Sequence, residues 1–201
     1  PLNEVLLNLL DECSLISCSR LLPSKLDLML VVCLLSLQYL HLLGFVYRDL
    51  KPETVLITSN GYVKVAVFSF AKKLAKGLKT FTLCGTPQYL APEQIQQTGH
   101  NRAVDWWALG VFIYELVNGR PPFNQGDHYH MYNAINDVKF YFAAQNSPSL
   151  RAVVLGFLRH MPAGRLGMGK FGVRDVKRHE WFATDINWPA LANQRARAPY
   201  V

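Results

Sequence analysis

No uninterrupted apolar run in the sequence reaches the length of about 18 residues that spans a bilayer. The richest apolar stretch, residues 26–37, is broken by Asp27 and Ser36. The first residues also lack the basic segment, apolar stretch and cleavage site of a secretory signal. We therefore expect a protein of the cytoplasm or the nucleus that has no membrane span.

Cysteine pairs at metal-binding or redox spacing are lacking as well. The cysteines form no CxxC pair, and no histidine stands near them at zinc-ligand spacing. These absences disfavour both a structural zinc site and a disulfide framework. We expect free, buried thiols at Cys13, Cys18, Cys33 and Cys84.

Acidic residues are fewer than basic ones, and the formal net charge is +7. The basic residues are dispersed, and neither an aromatic-basic RNA-binding string nor a zinc-finger spacing appears. We therefore expect no nucleic-acid partner, although a positive charge alone is compatible with one. A local cluster of lysines departs from this dispersed distribution, at Lys72, Lys73, Lys76 and Lys79.

Half of the 201 residues are apolar, which is enough for one folded domain with a sizeable core. Residues 26–43 and 103–117 are apolar nearly all round, a pattern that indicates helices buried on every side. The second of these should end near Asn118-Gly119. Weaker helical stretches, separated by Gly, Pro and Asn, are expected near residues 128–135, 149–160, 172–177 and 188–193.

Two short runs of β-forming residues lie between the two buried helices. Residues 55–57 and 62–67 flank a turn that contains Asn60-Gly61, so they predict a small β-hairpin. Residues 72–93 are polar and without period, which predicts a long loop of the functional kind. The overall pattern is a helical body with one hairpin.

Several strings in this body carry recognisable chemistry. They read YRDLKPE at 47–53, VFSFAK at 67–72, CGTPQYLAPE at 84–93, AVDWWALGV at 103–111 and HEWFATDINW at 179–188. With these strings the chain resembles the large, C-terminal lobe of AGC-group Ser/Thr protein kinases, in the form found in the cAMP- and cGMP-dependent kinases. The resemblance implies a mainly α, kinase-like α+β lobe with a small hairpin beside the catalytic loop, and ATP-dependent phosphorylation of Ser or Thr.

The resemblance covers residues 26–201, which include the start of a C-terminal extension. Residues 1–25 show neither a clean period nor a turn signal, and we interpret them as a degenerate remnant of the hinge and the first large-lobe helix. The small β lobe of the family, with its glycine-rich loop and phosphate-gripping Lys, is absent from this sequence. We therefore expect a large lobe without its nucleotide lid.

The resemblance assigns roles to two charged residues of YRDLKPE. Asp49 matches the catalytic base that orients the substrate hydroxyl, and Lys51 matches the cation that neutralises the transferring phosphate. Arg48 matches the partner of a phosphorylated threonine, for which Thr82 stands at the expected position and Lys72 is a second anion partner. A solvated basic loop is the alternative interpretation of the residues around Thr82.

The two magnesium positions of the family are both changed. Thr54 stands where an Asn is usual, and Val67 stands where the Asp of the DFG motif holds the metal. Ser69 replaces the Gly of that motif and should remove backbone freedom there. The residues expected nearest the nucleotide are Thr54, Glu53 and Leu56, the last matching the floor of the adenine pocket. The resemblance implies ATP and magnesium as cofactors, and these changes predict that binding is weak or absent.

Peptide recognition also follows from the resemblance. Glu53 and Glu115 match acidic residues that receive Arg side chains upstream of the phosphorylated residue, and Glu4 is a further candidate. The expected partners are a basic protein or peptide, as substrate or pseudosubstrate, and a regulatory or inhibitory subunit. The pocket for the residue that follows the acceptor is expected at Leu83, Thr86, Pro87 and Leu90.

Five residues match scaffold positions of the family. Asp105 should accept hydrogen bonds from backbone N–H groups of the catalytic loop, which explains a charge within so apolar a helix. Glu93 and Arg165 should form a buried ion pair. Tyr47 and Phe68 match the lower part of a hydrophobic spine, although simple core packing explains both equally well, as it does Leu56.

Three hypotheses about function follow. The first is a kinase lobe that is catalytically impaired at its metal positions, where a loss of about 4 kcal/mol would slow transfer about a thousandfold. The second is a pseudokinase that serves as a binding or regulatory module for basic or pseudosubstrate peptides. The third is a decayed gene product without a selected role.

Overall fold

The structure is a computed structural model that describes residues 13–15, 23–182 and 187–192. The rest of the predicted remnant over 1–25 lies outside these residues, and so do Glu4 and Cys18. Within the described residues the helices, in chain order, are α1 Pro23–Leu42, α2 Pro92–Ile95, α3 Ala103–Asn118, α4 His128–Asn136, α5 Pro148–Phe157, α6 Val173–Lys177 and α7 Trp188–Ala192. The strands are β1 Cys13–Leu15, β2 Phe45–Val46, β3 Val55–Thr58, β4 Val63–Val65 and β5 Lys72–Lys73.

The two helices that were predicted to be buried form the centre of the molecule. Helix α1 begins at Pro23, three residues before its predicted start, because proline is well suited to the first helical turn. Helix α3 is buried along nearly its whole length and ends at Asn118. Gly119 follows with φ 76°, and its N–H donates to the carbonyl of Glu115 at 2.7 Å. The prediction for α3 is confirmed. That for α1 is confirmed in the existence of the helix but is wrong in its burial near the end, where Tyr39 is 63% and Leu42 is 76% exposed because no described element covers them.

Helix α5 packs closely on α3 because a glycine lies at the crossing. A Cβ atom on Gly110 would lie 2.7 Å from the Cβ of Phe157, so a larger residue would force the helices apart. Large rings fill the space on either side of the crossing. The ring of Trp106 stacks on that of Phe157 at 6.3 Å, and the ring of Trp107 stacks on that of Phe123 at 5.6 Å.

The sheets are small and antiparallel. Strands β3 and β4 form the predicted hairpin, and β1 pairs with the other edge of β3 to make three strands. The third strand was not predicted, because its three residues carry no pattern of their own. Strand β5 pairs with β2, so a two-residue strand lies within the region that was predicted to be loop.

The architecture confirms the predicted fold class, a mainly helical lobe with a small hairpin. A complete small β lobe is not present within the described ranges. No helix in the part of the chain that is described is long and apolar enough to cross a bilayer. Cys33 and Cys84 carry free thiols, of which only Cys33 is fully buried. The thiols of Cys13 and Cys18 lie outside the description.

Candidate functional site

The loop that carries the predicted catalytic residues is anchored to α3 by a buried carboxylate. Asp105 is fully buried, and its two oxygens accept hydrogen bonds from the backbone N–H groups of Tyr47 at 3.0 Å and Arg48 at 2.8 Å. The Nε2 atom of His41 lies 2.7 Å from the same carboxylate. Arg48 has φ 66°, so the backbone turns at this residue, where its N–H is bonded to Asp105.

Asp49 and Lys51 lie side by side in this loop. The Nζ atom of Lys51 is 3.6 Å from Oδ1 of Asp49 and donates a hydrogen bond to Oγ1 of Thr86 at 2.8 Å. Asp49 is 7% exposed, and this burial raises the pKa of its carboxyl, an effect that the charge of Lys51 partly opposes. The loop therefore presents a carboxylate beside a cation that is tied to the segment after Cys84.

The hydroxyl of Thr54 is turned into the loop. Its oxygen lies 2.8 Å from the carbonyl of Asp49 and 2.9 Å from that of Lys51, and it accepts the backbone N–H of Lys51 at 3.2 Å. The side chain is 2% exposed. Its single hydrogen and at least one lone pair are therefore used within the loop.

Val67 adopts a backbone conformation that is unusual for its side chain. Its φ is 59°, in the left-handed region, where a β-branched residue is strained. The side chain is 42% exposed and contains no polar atom. Ser69 has no positive φ, so the loss of backbone freedom expected there stays a prediction.

The residues next to Val67 form an aromatic contact with the loop. The ring of Phe68 lies 5.5 Å from that of Tyr47 in an edge-on arrangement. Tyr47 is fully buried and its hydroxyl donates to the carbonyl of Ala66, whereas Phe68 is 52% exposed. Leu56 is only 6% exposed, so it offers little surface as the floor of a pocket.

The segment after Val67 contains the predicted phosphorylation site, and both predicted partners of that site contact the segment. Thr82 is exposed, as the predicted phosphorylation would require. Arg48 donates from Nε to the carbonyl of Phe70 at 2.8 Å, and its Nη1 is buried without a hydrogen-bond partner among the described residues. Lys72 donates to Oγ1 of Thr80 at 2.9 Å rather than lying free. The two cations are thus already held by this segment.

Glu93 and Arg165 tie the end of this segment to the helical body. Two hydrogen bonds of 2.6 Å join the guanidinium to the two carboxylate oxygens, and both side chains are buried. The guanidinium also donates to the carbonyls of Ala103, Arg159 and His160. It lies 5.0 Å from the ring centre of Trp107. Every donor direction of this buried cation is therefore used.

The predicted peptide-binding residues lie partly on the surface. Glu53 is exposed, and Leu83 is 51% exposed. Glu115 is half-buried and accepts a hydrogen bond from the hydroxyl of Tyr89.

The predicted apolar pocket is partly closed. Leu90 is 4% exposed and faces inward, so its surface is not open to a ligand as predicted. The reason is its packing against Gly85: the Cδ2 atom of Leu90 lies 3.5 Å from the position that a Cβ atom on Gly85 would occupy. The remaining predicted pocket residues, Thr86 and Pro87, are half-buried.

A family model described as "Protein kinase domain" matches residues 9–182 of the chain. The chain belongs to the protein kinase family. It is 43% identical over 171 residues to a "cAMP-dependent protein kinase, catalytic subunit-like" of Caenorhabditis elegans, which covers 85% of this chain and 42% of that kinase.

Two further relatives are of the same kind. The chain is 45% identical over 167 residues to the "cAMP-dependent protein kinase catalytic subunit" of Dictyostelium discoideum, covering 83% of this chain and 25% of that protein. It is 44% identical over 175 residues to "cGMP-dependent protein kinase, isozyme 1" of Drosophila melanogaster, and the match covers 86% of this chain and 23% of that protein. The chain thus spans less than half the length of these relatives. The predicted resemblance to the cyclic-nucleotide-dependent kinases is confirmed.

Protein kinases use ATP and magnesium, and the donor set of this loop does not fit a magnesium ion. Magnesium requires nearly octahedral oxygen coordination. Val67 supplies no side-chain oxygen, and the Thr54 hydroxyl is engaged with loop carbonyls. No group of three or more His, Cys, Asp or Glu side chains is placed to hold a metal in the ranges that the structure describes. Asp49 is left as a lone carboxylate whose Oδ1 has no hydrogen-bond partner there.

Three residues of this kinase site were not singled out from the sequence. His41 contacts the carboxylate of Asp105, Thr80 receives Lys72, and buried His100 forms a backbone bridge with Thr80. The position of His41 at the end of α1, just before YRDLKPE, was the only available signal for it. Thr80 and His100 are 20 residues apart in the chain, and no local pattern connects them.

Proposed function

We propose that this chain is the large lobe of a Ser/Thr protein kinase in which phosphoryl transfer from ATP is severely impaired. The single observation that carries the proposal is the state of the two metal positions. The hydroxyl of Thr54 is bonded within the catalytic loop, and Val67 has no side-chain oxygen. Asp49 and Lys51 are retained beside them, so the lesion is confined to the metal-binding part of the site.

The retained residues account for part of the family's chemistry. Asp49 is placed to orient a substrate hydroxyl, and Lys51 supplies one positive charge next to it. Phosphoryl transfer depends mostly on positioning and on charge stabilisation, to which the metal ions contribute several kcal/mol. A loss of about 4 kcal/mol corresponds to about a thousandfold slower transfer.

Transfer and metal binding should be measured separately on the whole chain. Radiolabelled transfer from magnesium- or manganese-ATP to an Arg-rich peptide is expected to be near background. Electron paramagnetic resonance of Mn²⁺ with ATP should show at least about tenfold tighter binding in Thr54→Asn/Val67→Asp than in the unaltered chain. The matched control is Thr98→Asn/Leu155→Asp, which makes the same kinds of change at exposed positions away from the loop.

Two results would contradict the proposal. The first is turnover by the unaltered chain that equals that of active cyclic-nucleotide-dependent kinases. The second is manganese binding by the unaltered chain as tight as that of the Thr54→Asn/Val67→Asp variant. A variant that gains metal but no turnover would instead place the remaining defect outside the two metal positions.

The second candidate function is a peptide-binding or regulatory module. It is favoured by the exposure of Glu53 and by the hydrogen bond from Tyr89 that orients Glu115. These carboxylates are suited to Arg side chains. Calorimetry with an Arg-rich peptide, without nucleotide, should detect binding that is weakened in Glu53→Ala and Glu115→Ala but not in Glu180→Ala. If the unaltered chain releases no heat with the peptide, this function is without support. That result is the one expected of a decayed gene product.

A further inference from the structure

A surface at the end of α1 and the start of α3, which is not lined by Asp49, Lys51 or Thr54, has no role in the proposed function. Two depressions of about 350 and 250 Å³ lie there next to each other. They share three lining residues, His41, Leu42 and Arg102. The first extends to Leu78 and Lys76, and the second to Phe171 and Arg174. Together they form one two-part groove, referred to below as the Arg102 groove.

The Arg102 groove presents large apolar side chains to solvent. Leu42 is 76% exposed, Leu78 is 59% exposed and Phe171 is 53% exposed. Leu78 lines the first depression, Phe171 lines the second, and Leu42 lines both. Apolar surface that recurs in adjoining depressions, rather than singly, is typical of a site where another molecule binds.

The charges of the groove have one sign. Among the residues that the structure describes, no acidic side chain lines either depression. No hydrogen bond or ion pair joins the side chains of Lys76, Arg102 or Arg174 to any other described residue. Asp175, the acidic neighbour of Arg174, has its carboxylate directed towards Gly169 instead. The histidine of the groove, His41, is bonded to buried Asp105.

We propose that the Arg102 groove binds an acidic peptide segment of a partner protein, with apolar side chains that enter the two depressions and carboxylates that pair with Arg102 and Arg174. Arginine binds a carboxylate through two parallel hydrogen bonds, which favours a peptide over a diffuse anionic surface. The proposal does not depend on the proposed function, because the face at Glu53 and Glu115 selects peptides of the opposite charge.

The test is a selection of random peptides of roughly 12 residues displayed on phage. The library is first passed over the Arg102→Glu/Arg174→Glu variant, which removes peptides that bind elsewhere, including basic ones. It is then selected on the unaltered chain. Both arginines are exposed, so the variant should fold, and its thermal unfolding is checked by circular dichroism.

The enriched peptides are expected to combine Asp or Glu with Leu, Phe or similar side chains. Their affinity should fall at least about tenfold in Arg102→Glu/Arg174→Glu and also in Leu42→Gln/Phe171→Gln. Raising the salt from about 0.05 M to about 0.5 M should weaken binding as well. The matched control, Arg120→Glu/Lys139→Glu, alters exposed cations outside the groove and should leave the affinity unchanged.

Three outcomes would overturn the proposal. Enriched peptides that are neutral or basic, or that bind the charge-reversed variant equally well, would exclude an acidic segment. Binding of the chain to phosphatidylserine vesicles but not to the enriched peptides, lost in the same variant, would assign the groove to a membrane. A dimer in sedimentation experiments that dissociates in the same variant would assign it to a second copy of the chain.

Discussion

The hydroxyl of Thr54 and the carbonyl of Asp49 are 2.8 Å apart and buried, so the catalytic loop is closed by a threonine. The hydroxyl donates its single hydrogen within the loop and accepts the N–H of Lys51, and the side chain is only 2% exposed, so its oxygen is not directed outward. An amide has separate donor and acceptor groups and can both close the loop and direct an oxygen outward. Under the proposed function, threonine therefore closes the loop but does not supply the metal ligand that an amide would.

Replacement of Thr54 by valine should destabilise the chain by about 1–3 kcal/mol. The change keeps the shape of the side chain but leaves buried carbonyl and N–H groups of the loop without their partner. Urea unfolding measures the free energy. Thr98→Val is the control, because Thr98 is exposed and should shift stability by no more than about 0.5 kcal/mol. Equal stability of the two variants would show that the hydroxyl does not close the loop.

Replacement of Val67 by asparagine should stabilise the chain by about 1 kcal/mol. Asparagine tolerates a positive φ, whereas valine at 59° is strained by about this amount. Val65→Asn is the control, since Val65 lies in β4 and should lose stability on the same change. The prediction is wrong if both variants unfold at lower urea concentration than the unaltered chain.

Replacement of Arg165 by methionine should cost about 3–5 kcal/mol, because it leaves the buried carboxylate of Glu93 unpaired. Glu93→Gln combined with Arg165→Met should recover part of this loss, since no charge remains buried. Arg178→Met, at an exposed position, serves as the control. Denaturant midpoints that are the same for the single and double variants would argue against a buried ion pair.

Acid should destabilise the chain in part through His100. Burial and the nearby charge of Arg48 lower its pKa to about 4, and it is 3% exposed. The unfolded chain, with a histidine pKa near 6.5, binds the proton first, so stability is lost as the pH falls from about 6.5 to about 4. The difference is at most about 3 kcal/mol.

His100→Gln should remove this part of the pH dependence, which unfolding experiments at several pH values between neutral and acid can measure. The exposed residue His160 provides the control variant His160→Gln. Parallel pH profiles for the unaltered chain and His100→Gln would mean that His100 is protonated equally in the folded and unfolded states.

Local sequence patterns were sufficient for much of the fold. The continuous apolar runs of α1 and α3 predicted buried helices because no face of either was polar. Asn60-Gly61 predicted the hairpin because Asn-Gly favours the tight turns that join two antiparallel strands. Strand β1 was not predicted because its three residues form a strand only by pairing with the free edge of β3. The inward direction of Leu90 also depends on packing rather than on local sequence.

The residues of the candidate site were predicted, together with the hydrogen bonds to Asp105 and the Glu93–Arg165 ion pair, whereas the hydrogen bonds of Thr54 were not. The sequence determined that the chain has the motifs of a protein kinase large lobe, that Asp49 and Lys51 are present, and that Val67 cannot supply a ligand, because these follow from side-chain chemistry alone. Only the tertiary structure decided where the hydroxyl of Thr54 points and that Val67 carries a positive φ. It also brought Arg102 and Arg174 together, because hydrogen-bond direction, backbone strain and the meeting of distant side chains arise only when the elements pack.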